Sequence, residues 1–265
     1  MPAAAWAWWG ASASTPARPA WPRAGLRLAG TVRVFCNEAA GPAFAAHLEA
    51  AMLKTFETAA ELEDHAQEMQ AFVIGPAAGL SDATRENVAA LSRAGPALVV
   101  DADAITIFKD DPEALFALLD DRDVMTPHTG EFERLFPGLL EGGGRIEAAR
   151  EAARRAGCVV VLKGGESVIA APDGRTAVNT HATPWLATAG SGDVLCGAIG
   201  GLLAGRMDAF DAACAGVWMH GDAGLRVGPG LTAEDLPGAL RAVVAELHAL
   251  TAPQQGGSGN PGLSG

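Results

Sequence analysis

The order of apolar and polar positions predicts alternating strands and helices from about residue 31 onward. Continuous apolar runs at 31–36, 71–75, 96–104 and 158–164 are typical of buried strands. Apolar residues three and four positions apart indicate helices between and after these runs. The predicted helices span 41–53, 82–95, 111–119, 145–157, 191–204, 208–224 and 235–250.

Two further stretches complete the pattern. Residues 123–136 combine a strand, a break at Pro127 and the start of a helix. Residues 166–180 predict a hairpin that turns at Pro172-Asp173-Gly174. Strands that alternate with helices predict a mainly parallel sheet with helices on both faces, to which the hairpin adds antiparallel strands.

The same pattern predicts one domain over 31–252. The segment 1–30 is rich in Ala, Pro and Trp and has no clear period, so we expect an atypical, disordered or truncated N-terminal segment. The segment 253–265 is rich in Gly, Pro and Gln, which is typical of a flexible tail.

Composition narrows the classes of partner. The 265 residues carry a formal net charge of −12, which argues against a basic surface for nucleic acid or anionic lipid. The sequence shows no convincing membrane span, so we expect neither a nucleic-acid nor a membrane partner. Its four cysteines form no C-x-x-C pair, which is typical of buried thiols in a cytoplasmic protein.

The stretch Gly190-Ser191-Gly192-Asp193 marks the start of an apolar helix. Free backbone N–H groups and the helix dipole make such a terminus a site for an anion, such as a phosphoryl group. The Asp193 carboxylate is placed to take a proton from an attacking hydroxyl as a general base. The alternative is that Ser191 or Asp193 only caps the helix.

Polar or unusual residues also follow four predicted strands. Because ligands bind outside the carboxyl ends of the strands in open α/β sheets, we expect these residues to share one cleft. They are Gly75-Pro76, Asp101 with Asp103, Thr126-Pro127-His128, and Lys163-Gly164.

These motifs together resemble the ribokinase-like superfamily, and within it the ADP- or ATP-dependent NAD(P)H-hydrate dehydratases. The matching segments occur in family order between about 70 and 250: IGPAAG (74–79), VVDADAI (99–105), TPHTGEFERL (126–135), VVVLKGGESVIAAPDG (159–174), WLATAGSGDVLCGAIGGLLAG (185–205) and VWMHGDAG (217–224). Two features depart from the family pattern. The segment 1–30 replaces its opening strand and Gly-Gly-Ser loop, and Ala77 replaces a glycine.

The resemblance implies a fold and an activity. The fold is an α/β, ribokinase-like three-layer α/β/α sandwich. The activity is dehydration of hydrated NADH or NADPH, NAD(P)HX, in which the ring hydroxyl is phosphorylated and phosphate then leaves. ADP or ATP is the implied phosphoryl donor, with Mg²⁺. The resemblance also implies a homo-oligomer, and we expect an epimerase as a separate protein.

The resemblance also assigns roles to individual residues. Asp193 is the implied catalytic base and contacts substrate together with Gly79 and His128, while Gly190, Ser191 and Gly192 form the anion hole. The implied nucleotide-binding residues are Lys163, Gly164, Gly165, Glu166, Ser167 and Gly192.

Several of these residues keep a simpler alternative at this stage. His128 also fits an ordinary loop or helix-start histidine, and Lys163 a surface lysine at a strand end. Glu131 suits either a favourable charge at a helix start or a water-mediated contact to magnesium. Asp101 and Asp103 suit either a metal or helix capping, with a structural role favoured for Asp103. For His220, core packing is favoured over a catalytic role. Trp185 suits either a pocket wall or core packing.

Two other functions fit the same motifs. A kinase for a small metabolite would share Asp193 and the nucleotide site but would release a phosphorylated product. A degenerate homologue would bind nucleotide without turnover. An upstream segment that supplies a Gly-Gly-Ser strand and loop, or an ordered substitute made from residues 1–30, would argue against it.

Overall fold

A nine-stranded sheet runs through the computed structural model, which describes residues 5–9, 30–48 and 50–251. The strands lie in the order β3-β2-β1-β4-β5-β6-β7-β8-β9. All neighbours from β3 to β7 are parallel, and β7, β8 and β9 pair antiparallel. They are β1 (Ala5–Trp9), β2 (Thr31–Cys36), β3 (Met52–Thr55), β4 (Ala71–Ile74), β5 (Ala97–Val100), β6 (Val124–Met125), β7 (Val159–Leu162), β8 (Ser167–Ala170) and β9 (Thr176–Asn179).

Helices cover both faces of this sheet. The described helices are α1 (Gly41–Ala45), α2 (Ala59–Ala66), α3 (Asp82–Ala94), α4 (Asp103–Thr106), α5 (Pro112–Phe116), α6 (Thr129–Leu135), α7 (Leu139–Ala156), α8 (Ser191–Ala204), α9 (Ala209–Val227) and α10 (Leu236–Thr251), with a short 3₁₀ turn at Pro184–Leu186. None of them is both long and apolar enough to cross a membrane.

Successive strand residues face opposite sides of the sheet and supply two separate cores. On one side, Val73 packs with residues of α1, α8, α9 and α10, such as Phe44 and Ile199. On the other side, Phe72 packs with residues of α2 to α7, such as Phe132. This three-layer arrangement confirms the predicted α/β sandwich.

The prediction of one helix over 41–53 is wrong beyond its first turn. Helix α1 ends at Ala45, and Met52 begins strand β3 opposite Arg33 of β2. The short helix α2 that follows β3 was not predicted. The Ala-rich spacing suggests a helix, but pairing at the sheet edge decides the structure, since intrinsic propensity yields to tertiary context.

Strand β1 lies inside the segment that the sequence pattern placed outside the domain. It pairs in parallel with β2 and β4 in the middle of the sheet, so this part of 1–30 belongs to the fold. The rest of that segment, 10–29, and the predicted tail at 253–265 lie outside the described residues. The domain division there stays a prediction.

Candidate active site

The carboxyl ends of β4 to β7 meet at one edge of the sheet, as the sequence predicts. Backbone hydrogen bonds join them in sequence: Asp101 N donates to Ile74 O, Thr126 N to Val100 O, and Lys163 N to Pro127 O. The four polar strand ends therefore lie side by side, as expected for a shared cleft, and His128, Lys163 and Gly164 among them line its cavity.

The loop after β4 depends on a close approach to Asp101. Gly75 has a φ of 131°, and a Cβ at this position would overlap the Asp101 carbonyl group, so only glycine fits. At the other end of the loop, Gly79 N donates to Asp103 Oδ2 over 2.8 Å. Asp103 therefore holds the loop, in line with its favoured structural role, while Gly79 as a substrate contact stays a prediction.

Lys163 and Asp101 form an ion pair at the floor of the cleft. Nζ lies 2.7 Å from Oδ1, with 20% of the lysine side chain and 2% of the aspartate side chain exposed. Burial lowers the pKa of Lys163, but the neighbouring negative charges, led by Asp101, outweigh it and raise the pKa. Lys163 is therefore a permanent cation within the site, and the alternative of a surface lysine is wrong.

Asp193 occupies the first turn of α8 but does not cap the helix. The N-cap is Gly190, which makes no side-chain cap hydrogen bond. Within the described part of the chain, the Asp193 carboxylate has no hydrogen-bond partner. Burial, followed by the negative charge of Asp101, raises the pKa of Asp193 to about 7. An unpartnered carboxylate with this pKa is suited to accept a proton near neutral pH.

His128 and Glu131 form a capping box at the start of α6. His128 Nδ1 accepts hydrogen bonds from the N–H groups of Gly130 and Glu131, over 2.9 and 3.3 Å. Glu131 Oε2 accepts from His128 N over 2.9 Å. Burial, followed by the charge of Asp101, raises the pKa of Glu131. The helix-start role proposed for His128 is present, and its side chain remains 55% exposed toward the cleft.

A cavity of about 600 Å³ lies between the loop after β7, the start of α8 and helix α9. Seven of the predicted site residues line it: His128, Lys163, Gly164, Gly165, Ser167, Ser191 and Gly192. Gly79, Glu166, Gly190 and Asp193 do not line it. The charges that act on Asp193 come from Asp101, Lys163, Asp103 and Glu131, so this carboxylate lies by the polar strand ends beside the cavity.

The sequence pattern did not predict the residues that form the remaining wall of the cavity. It consists largely of apolar side chains, among them Ala182, Pro184, Leu186, Leu195 and Val217, with Asn179 and His220. Such a surface suits a planar ring, with the polar end of the ligand directed to the α8 terminus. Single apolar residues in a loop and on two helices give no local signal of a shared wall.

The loop that forms this wall packs tightly against α9. The His181 carbonyl group approaches Gly221 so closely that a Cβ there would overlap it. The His181 ring stacks on Trp218 with 5.1 Å between centroids, and its Nε2 lies 2.9 Å from Asp222 Oδ1. Trp185 is 48% exposed, so its core-packing alternative is wrong.

Arg145 is a second feature that the sequence did not reveal. It follows Gly144, where α7 has non-helical backbone angles, and its guanidinium reaches the loop after β7. One nitrogen lies 3.0, 3.1 and 3.5 Å from the carbonyl oxygens of Leu162, Lys163 and Glu166. Arg145 therefore fixes the backbone of the predicted nucleotide loop.

Comparison with solved structures places this geometry in a known fold. A ribokinase-like superfamily protein from Enterococcus faecalis superposes with a TM-score of 0.79 at 22% identity, covering 91% of this chain and 87% of the other. An ADP/ATP-dependent NAD(P)H-hydrate dehydratase from Bacillus subtilis, crystallised with ATP and Mg²⁺, superposes with a TM-score of 0.75 at 26% identity, covering 91% of each chain.

Sequence comparison points to the same family. A bifunctional NAD(P)H-hydrate repair enzyme of Thermosynechococcus vestitus is 43% identical over 157 residues, which cover 58% of this chain and 30% of the relative. The chain thus matches about a third of the length of such relatives. The sequence pattern of the NAD(P)H-hydrate dehydratases matches residues 20–241. The chain belongs to the NAD(P)H-hydrate dehydratase family.

Proposed function

We propose that this chain uses ADP or ATP to dehydrate NADHX and NADPHX back to NADH and NADPH. The observation that supports this most is the half-buried Asp193 carboxylate, which has no hydrogen-bond partner in the described part of the chain, at an α8 terminus that borders the cavity. Family membership and the likeness to the Bacillus subtilis dehydratase support the choice of substrates.

The first step transfers a phosphoryl group to the hydroxyl on the hydrated nicotinamide ring. The Asp193 carboxylate takes the hydroxyl proton while the oxygen forms a bond to the terminal phosphorus of the nucleotide. The bridging P–O bond breaks, and ATP leaves as ADP, or ADP as AMP. In the second step the C–O bond breaks, phosphate leaves, and loss of a proton from the adjacent ring carbon restores the double bond.

The charge on the transferring group is stabilised by backbone and by Lys163. The N–H groups of Gly190 and Gly192 supply hydrogen bonds, and the α8 terminus adds the positive end of its dipole, whereas the Ser191 N–H donates to Thr188 O over 3.3 Å. A Cβ on Gly192 would lie 3.3 Å from Lys163 Nζ, so the cation sits directly beside this terminus. We therefore assign Lys163 to the phosphates, and Gly164, Gly165, Glu166 and Ser167 to the nucleotide loop.

The residues present also fit magnesium bound jointly with the nucleotide. In the described part of the chain, no group of three or more His, Cys, Asp or Glu residues is arranged to hold a metal ion alone. Mg²⁺ usually takes one or two carboxylates, substrate phosphates and water. Asp101 and Glu131 supply oxygen donors beside Lys163, and bound Mg²⁺ would neutralise charge on the phosphates.

The buried free thiols of Cys36, Cys158 and Cys196 support a cytoplasmic location. A homo-oligomer and an epimerase that acts on the same hydrates remain part of the proposal. The Thermosynechococcus vestitus relative is a bifunctional NAD(P)H-hydrate repair enzyme, which supports a second repair activity beside dehydration.

A turnover assay tests this function. Purified protein is mixed with NADHX or NADPHX, Mg²⁺ and either ADP or ATP, and both the return of reduced-nicotinamide absorbance and the release of phosphate are followed. We expect both signals, and we expect Asp193→Asn to lose them. Asp64→Asn, which makes the same charge change at an exposed position of α2, is the matched control.

Other outcomes would contradict the proposal in recognisable ways. A phosphorylated product that accumulates without phosphate release from another small alcohol would indicate a metabolite kinase. Nucleotide binding by folded protein without any turnover would indicate a degenerate homologue.

A further inference from the structure

Beneath the start of α8, the side chain of His220 contacts Ser191 twice. Its Nε2 atom lies 3.0 Å from the Ser191 hydroxyl oxygen and 3.0 Å from the Ser191 backbone carbonyl oxygen. His220 is 7% exposed and Ser191 3% exposed, and both residues line the cavity. The pair therefore lies at the boundary between the protein core and the anion hole.

The carbonyl contact fixes the proton on His220. Burial lowers the pKa of His220 to about 4, so the imidazole is neutral near pH 7. A carbonyl oxygen only accepts hydrogen bonds, so Nε2 must hold the ring proton to bond with it. An Nε2 that donates has no lone pair for the serine proton. His220 is therefore not a base that activates Ser191 as a nucleophile.

This protonation state leaves the Ser191 hydroxyl proton unused. The hydroxyl oxygen accepts from the same Nε2–H, and its own proton has no other acceptor within the described part of the chain. The hydroxyl lies at the first residue of α8, between the N–H groups of Gly190 and Gly192 in sequence. A donor in this place is directed at whatever anion the helix terminus binds.

We propose that His220 is a positioning residue that holds the Ser191 hydroxyl as an additional hydrogen-bond donor to the nucleotide phosphates. This inference rests on the proposed function for the identity of the anion. It gives Ser191 a role through its side chain, since its backbone N–H group donates to Thr188 O over 3.3 Å. It also explains a buried histidine that the proton transfer by Asp193 does not use.

Two variants of His220 and one of Ser191 separate positioning from packing. His220→Gln keeps an N–H donor near the position of Nε2, whereas His220→Leu keeps apolar volume and removes the donor. Ser191→Ala removes only the hydroxyl and keeps the helical backbone. We expect His220→Leu and Ser191→Ala to weaken ATP and ADP binding by about 10- to 100-fold, the range for a lost hydrogen bond to a charged group.

The binding of adenosine, which lacks phosphate, provides the internal control. Calorimetric affinity for adenosine should be unchanged in every variant, and His220→Gln should keep most of the affinity for ATP. The double variant His220→Leu/Ser191→Ala should be no worse than Ser191→Ala alone, because both changes remove the same hydrogen bond. Circular dichroism and thermal melting verify the fold of each variant.

These binding measurements do not depend on turnover, so the positioning role and the proposed function can be refuted separately. Wild-type protein that binds ATP but does not dehydrate NADHX would overturn the function and leave the His220 test intact. The positioning role is overturned if Ser191→Ala binds ATP as well as wild type. It is also overturned if the two losses add, or if adenosine affinity falls as much as ATP affinity.

Discussion

The Nζ atom of Lys163 lies 2.7 Å from Oδ1 of Asp101, although 62 positions separate the two residues in the chain. The pair joins the end of β7 to the end of β5 across the intervening β6. Because the Asp101 side chain is almost completely buried, its charge has little access to water and depends on the lysine. The ion pair therefore serves both the stability of the cleft and its electrostatics.

Replacement of Lys163 by methionine should destabilise the protein by about 3–5 kcal/mol, since it leaves a buried carboxylate unpaired. Urea unfolding at pH 8 measures the change. The double variant Lys163→Met/Asp101→Asn, which also removes the buried charge, should recover part of the lost stability. A single variant as stable as wild type would show that the pair does not contribute.

The pH dependence of turnover should follow the ionisation of Asp193. Its pKa is raised to about 7, and only the ionised form accepts a proton. We therefore expect kcat/KM to fall about tenfold per pH unit below pH 7 and to level off above it. Any turnover that Asp193→Asn retains should lack this dependence; if it keeps the same profile, another group is the base.

The ionised Asp193 carboxylate should destabilise the folded protein at high pH. The pKa of Asp193 rises from 3.8 to about 7 on folding, so its contribution to stability falls as the pH increases between these values. Asp193→Asn removes the charge and should melt several degrees higher than wild type at pH 8, with a smaller difference at pH 5. The exposed variant Asp64→Asn should show neither effect.

Loss of the Arg145 guanidinium should loosen the nucleotide loop. Arg145→Ala removes the donor shared by the carbonyl groups of Leu162, Lys163 and Glu166. We expect ADP and ATP affinity to fall about tenfold, the consequence of roughly 1.4 kcal/mol. Arg154→Ala, at an exposed position of the same helix, is the control. Equal affinities for the two variants would contradict a role for Arg145 in the loop.

The protein should become more stable when Ala77 is replaced by glycine. Its φ of 58° lies in the left-handed region, where a Cβ costs about 1–2 kcal/mol, partly offset by the greater freedom of glycine in the unfolded chain. We expect Ala77→Gly to raise the free energy of unfolding by up to about 1 kcal/mol. Ala78→Gly, at a neighbouring buried residue without this φ, should lower it.

The sequence predicted the central features of the fold because they depend on residues that are close together in the chain. The strand at 71–75, the hairpin turn at Pro172-Asp173-Gly174 and the glycine-bounded start of α8 each depend on neighbours in the chain. The strand end at Asp101 was also predicted to share a cleft with Lys163. This followed because parallel strands bring their carboxyl ends to one edge.

The rest depends on contacts between distant segments. No local pattern links Arg145 to the loop after β7, or His220 to Ser191, 29 positions away. Met52 lies in a stretch whose spacing predicts a helix, but it belongs to β3 because β2 offers a parallel partner. The wall at Ala182–Leu186 likewise forms only because Gly221 allows a close approach of the loop.

Strand β1 connects two parts of the sheet. Among the described strands, β2 and β3 are joined to the block β4–β9 only through the backbone hydrogen bonds of β1. Ala5–Trp9 is synthesised before β4, so one of its two partners is not complete until Ile74 has been made. During that interval its open edge is a template for association with other chains. The order of synthesis therefore leaves this central strand half-paired while the nascent chain grows.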